Sequence, residues 1–127
     1  MEDLPAKLDG FVRALCALAD GMWHEGGMSC TFQTAVTAPP PLAAESPSEE
    51  ALMARFFDVA LGNLDASTSA TREDLVWELR RVVREATGSD LVAARVTDDP
   101  GGVSSTLSLW WRSGDRVDAV DLFWSMD

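Results

Sequence analysis

Residues 103–126 constrain the fold of this chain more than any other stretch. Val103, Ser105, Leu107, Leu109 and Trp111 fall on every second position, and Val120, Leu122, Trp124 and Met126 do so again after a break. A pleated strand sends successive side chains to opposite faces. A β-hairpin with a two-residue loop at Gly114-Asp115 pairs Leu109 with Val120 and Leu107 with Leu122. Both apolar sets then lie on one side. Glycine at the first loop position suits a type II′ turn. A slip of one residue would divide the two sets between opposite faces, so the register is specified. A lone hairpin is not stable in water. The rest of the chain must cover it.

With 127 residues, 46% of them hydrophobic, the chain can bury a core as one domain spanning 1–127. Its longest unbroken apolar run, 14–19, is far shorter than the roughly 20 residues of a membrane span. Glu2, Asp3, Lys7, Asp9 and Arg13 interrupt the N-terminal pattern and argue against a signal peptide. These features predict a cytoplasmic protein without membrane contact. Cys16 and Cys30 are expected as reduced core thiols.

Upstream of the hairpin, periodicity predicts three helices and two strands. Residues 3–23 repeat apolar side chains every three or four positions, from Leu4 and Leu8 to Met22, with Asp3 as cap. Residues 28–37 alternate, with Met28, Cys30, Phe32, Thr34 and Val36 on one face. A proline-rich connection, 38–47, follows; Pro39, Pro40 and Pro41 keep it extended and stiff. Ser46 caps the second helix, with Pro47 at its first position and Glu49 closing a capping box. Leu52, Met53, Phe56, Phe57, Ala60, Leu61 and Leu64 form its broad apolar face, and Gly62-Asn63 suits its end. Thr71 caps the third helix, whose stripe runs through Leu75, Val76, Leu79, Val82, Val83 and Ala86 to a C-terminal Gly88. Residues 90–97 read as a strand with Val92, Ala94 and Val96 on one face, and 98–102 as a turn. The order is α-β-α-α-β-β-β. It predicts an α+β domain: an antiparallel sheet ending in the C-terminal hairpin, with helices packed on it. The first strand must join an edge of that sheet or pair with another chain.

Few residues invite catalysis. His24-Glu25, beside two glycines, has the makings of a general base but no visible nucleophile. Cys30 alternates with Met28 and Phe32, which predicts a buried, inert thiol. Asp98-Asp99 does not follow a calcium-loop spacing. Gly101-Gly102 lacks the Lys and helix of a phosphate loop. No cofactor and no metal are expected.

Charge and aromatics say more. The net charge is −11, spread along the chain. It opposes nucleic-acid binding and favours a basic protein partner. Trp110, Arg112, Asp121 and Phe123 fall on the second face of the hairpin, with Thr106, Ser108, Val117 and Ala119. Either helices cover that face too, or it meets a partner; Trp and Arg are enriched at interface hot spots. Trp77 leaves the stripe of its helix, one turn before Arg80 and Arg81, within reach of a cation–π contact. Trp110, Arg112, Asp121, Phe123 and Trp77 are therefore the expected partner-binding residues. The expected function is a non-enzymatic acidic binding module, in its most specific form an inhibitor of the immunity-protein or antitoxin kind. Two alternatives are a secretion chaperone or adaptor, which a stable homodimer would favour, and a small-molecule-binding domain using His24, Glu25 and Gln33.

Overall fold

A computed structural model describes residues 4–22, 27–60 and 69–125, with backbone alone for 18–22 and 69–73. The elements follow the expected order: α1 (Ala6–Met22), β1 (Gly27–Gln33), α2 (Glu49–Ala60), α3 (Ser69–Thr87), β2 (Leu91–Asp98), β3 (Ser104–Ser113) and β4 (Arg116–Ser125). Asp3, His24-Glu25, the end of the second helix at 61–64 and Met126 lie outside the described residues.

The hairpin forms in the expected register, with Leu109 opposite Val120, Leu107 opposite Leu122 and Ser113 opposite Arg116. Gly114 has φ +65°, while Asp115 is not among the positive-φ residues. That combination separates a type II′ turn from a type I′ turn. β1 and β2 flank the hairpin antiparallel, giving the order β1-β4-β3-β2. All three helices contribute to a single core cluster with Leu107, Leu109, Trp111, Val120, Leu122 and Trp124, so they lie on one face of the sheet. Phe32 of β1 stacks on Trp111, ring centroids 5.9 Å apart and planes 4° from parallel. Among the described residues, the other face carries no helix.

Four local expectations are corrected by tertiary structure. First, α2 is capped by Ser48, not Ser46: its Oγ accepts the Ala51 N–H at 3.1 Å, and its carbonyl accepts from Leu52. Glu49 then stands at the first helical position, where its carboxylate reaches the Ala94 N–H of β2. Second, α3 starts at Ser69, two residues before the expected cap Thr71. Third, the β2 register shifts between Leu91 and Ala93. This bulge turns Val92 to solvent and brings Leu91 opposite Trp111. Leu91, Ala94 and Val96 make the core side instead of Val92, Ala94 and Val96. Fourth, β1 stops at Gln33, short of Val36. Ala35 adopts a left-handed φ of 54°, which costs a non-glycine residue about 1 kcal/mol and breaks the alternation. Its N–H is taken by the Asp118 carboxylate at 3.1 Å, and Val36 N–H returns to Val117 O.

The proline connection is extended, as expected. It leaves one edge of the sheet and ends at the other. Val36 pins it to β4, and the Pro40 carbonyl accepts from Arg95 of β2 at 2.5 Å. The Arg95 guanidinium also reaches the Ala94 carbonyl and the Glu49 carboxylate of α2, so this second pin is made at the β2 edge.

Candidate protein-binding face

The helix-free face of the sheet brings together four of the five expected partner-binding residues. Trp110 of β3 is half-buried between Ala93 of β2 and Ala119 of β4. The two alanines leave room for an indole to lie along the sheet, and both are buried. Arg112 follows on the same face and is exposed. Asp121 lies between Ser108 and Thr31, and Phe123 between Thr106 and Ser29. Phe123 is 44% exposed. Trp110 pairs with Ala119, four residues from Phe123 along β4, so the two positions are about 14 Å apart in the strand direction, with Asp121 between them. The rest of the face is mostly Ser and Thr.

The face itself is not strongly acidic. Arg95 and Arg112 share it with Asp121. Acid is concentrated elsewhere: Glu49, Glu50 and Asp58 on α2, Asp98 at the end of β2, and Asp99 and Asp115 in the turns. Negative charge therefore acts on this face as a surrounding field. Direct contacts there would be aromatic and hydroxylic.

Trp77 sits apart from this face. It is 65% exposed on α3, beside a groove of about 390 Å3 floored by Ala51, Ala54 and Val76. The expected cation–π partners are committed elsewhere. Arg80 bridges Glu50 at 2.5 Å and Asp90 at 3.1 Å, and Arg81 binds Glu78 and Glu85. Carboxylates hold these guanidinium groups more strongly than an exposed ring does.

Sequence reasoning missed Asp118. Its side chain is 3% exposed and is held by Arg116 at 3.0 Å and by the Ala35 N–H. The signal was present: Arg116 and Asp118 occupy the inward positions that lead into Val120 and Leu122. The pair borders a hollow of about 330 Å3 with Phe32, Thr87, Trp111 and Ser113. The carboxylate is already satisfied, which leaves little for a ligand to gain. Gln33, one of the polar groups the small-molecule alternative would draw on, is exposed on the helix-free face. Among the described residues, no three His, Cys, Asp or Glu side chains are grouped to hold a metal ion.

Cys30 also corrects the sequence reading. It lies on the helix side of β1 but is exposed, not buried. β1 is an end strand, and Asp9 and Arg13 of α1 approach the thiol in place of an apolar side chain. Partial burial pushes the thiol above its ordinary value, the Asp9 carboxylate adds to this, and Arg13 opposes it. The thiolate is the reactive form. Cys30 should therefore react with a disulfide reagent in the native protein, faster than the half-buried Cys16 but more slowly than free cysteine near neutral pH. A rate above that of free cysteine would reveal an activated thiol and contradict the inert reading.

Three helices on one face of a four-stranded antiparallel sheet, with the other face open and carrying spaced aromatics, define a small α+β protein with a presented sheet surface. No protein-family model, no curated protein and no solved structure matches the chain.

Proposed function

We propose that this chain is a non-enzymatic acidic protein-binding module, an inhibitor of the immunity-protein or antitoxin kind that acts on a basic protein. The observation that carries the reading is the helix-free face, which presents Trp110, Arg112, Asp121 and Phe123 among small hydroxyl side chains. A large aromatic beside Arg and Asp on a flat surface is the composition of an interface hot spot. The net charge of −11 supports a basic partner, because complementary fields raise the encounter rate before any contact forms.

The test begins with capture of the partner from native-host extract by the tagged chain, identified by mass spectrometry. Association and dissociation are then followed with purified partner. Asp121→Asn should slow association and leave dissociation nearly unchanged. A captured protein whose contact surface is acidic, or one that binds Asp121→Asn and wild type at the same rate, would contradict the reading.

A further inference from the structure

We propose that two copies of this chain associate through the outer side of α3, antiparallel across a two-fold axis beside Trp77. The inference is independent of the function proposed above, because α3 packs on one side of the sheet and the candidate binding face is the other.

The outer side of α3 presents an aromatic next to a hollow. Trp77 is the most exposed large hydrophobic side chain among the described residues, at 65%. It stands beside the α2–α3 groove, with Ala51, Ala54 and Val76. Ala51 is exposed and Ala54 is half-buried. Two alanines keep the α2 wall low and leave room for an indole arriving from outside. The polar rim is already neutral, since Glu50 and Arg80 bridge each other at 2.5 Å. Nothing in the groove calls for a cationic ligand.

Charge selects the occupant. The chain as a whole carries −11, which opposes self-association. α3 does not share that excess. Its described charges are Asp74, Glu78 and Glu85 against Arg80, Arg81 and Arg84, three of each sign. Arg80 is closed by Glu50 and Asp90, and Arg81 by Glu78 and Glu85. Asp74 and Arg84 are both exposed and have no ion-pair partner among the described residues. One helix cannot bring them together, because ten residues separate them by about 15 Å of rise. A second α3 running antiparallel can. A two-fold axis at the midpoint of Ser69–Thr87 places Asp74 of one copy about 3 Å along the helix direction from Arg84 of the other. Symmetry makes the pair twice. Glu78, nearest the axis, is neutralised in each copy by Arg81. The same axis sets each Trp77 at the level of the other copy's groove, whose α3 lining runs from Val76 to Arg80. Apolar contact at the centre and opposite charges at the ends make the surface self-complementary.

Sedimentation of the wild-type chain over a range of concentrations should show a monomer–dimer equilibrium. Trp77→Ala should raise the dissociation constant roughly tenfold or more. Asp74→Arg sets arginine against Arg84, Arg84→Glu sets glutamate against Asp74, and each should weaken the dimer roughly tenfold or more. The double reversal restores opposite charges across the axis and should return the dissociation constant to within about threefold of wild type. All three side chains are exposed, so circular dichroism of the variants should match wild type. Isotope-filtered NMR on mixed labelled and unlabelled wild-type chains guards against a variant that misfolds: the Trp77 indole of one copy should contact Ala51 or Ala54 of the other. A chain monomeric up to its solubility limit would overturn the proposal. So would a dimer indifferent to Trp77→Ala, or a double reversal that associates no better than either single one. Capture of a basic protein by a monomeric chain, lost in Trp77→Ala, would overturn it as well and assign the groove to that protein.

Discussion

Replacing Leu109 with Ala should lower the unfolding free energy by about 2–5 kcal/mol, whereas Ser108→Ala should cost less than about 1 kcal/mol. The two residues are neighbours on β3, a central strand, and face opposite ways. Leu109 is 0% exposed and lies between Ala94 and Val120 in the ladder, beneath the helices. Truncation removes its transfer free energy and leaves a cavity. Ala94 is too small to fill that cavity from one side, and β3 is held on both flanks by ladders, so the site can collapse only in part. Ser108 lies between Arg95 and Asp121 on the helix-free face and is half-buried. Urea denaturation of both variants checks the contrast. Large and equal losses would mean that both faces are covered, and the candidate interface would disappear with them.

Trp110→Ala should raise the rate at which the captured partner dissociates by roughly 30-fold or more, the effect of losing a hot spot worth about 2 kcal/mol. Association should change little, because encounter is set by the field of the whole chain. Trp110 also covers Ala93 and Ala119, so the variant's fold must be checked by circular dichroism. Phe123→Ala is the cleaner companion. Phe123 is exposed and outside the core, so its loss should weaken binding while leaving stability within about 0.5 kcal/mol. Unchanged dissociation in both variants would move the interface elsewhere, and the exposed Trp77 beside the α2–α3 groove would be the next surface to test.

The residues differ in how openly they declare their places. The hairpin is fully legible because its information is local: two period-two apolar patterns and a glycine set the register without help from the rest of the chain. The Val92 bulge is not legible, since Leu91 and Val92 are both apolar and only pairing with Trp111 decides which turns inward. Ser46 and Ser48 both precede α2 and can both cap it. Ser48 does so in a structure whose next residue, Glu49, also serves the β2 edge, a demand made by a strand over 40 residues away. Alternation places Cys30 on the correct side of β1, but periodicity does not know that this strand is an edge or that Asp9 and Arg13 stand where a buried thiol would need apolar cover. The candidate face follows the same division. Its membership is written in the hairpin's odd and even positions. Its openness is a tertiary fact: among the described residues, the helices pack on one side, and the proline connection is pinned at β4 and at the β2 edge.

The central claim is that this face, set in an acidic field, binds a basic protein. Its most direct test is the association rate of the captured partner with the wild-type chain between low and physiological ionic strength. Exposed charges more than about 8–10 Å apart are screened at the upper end of that range. The account predicts an association rate that falls steeply as salt rises, with dissociation nearly constant. An association rate indifferent to salt, or one that rises with it, would contradict the account.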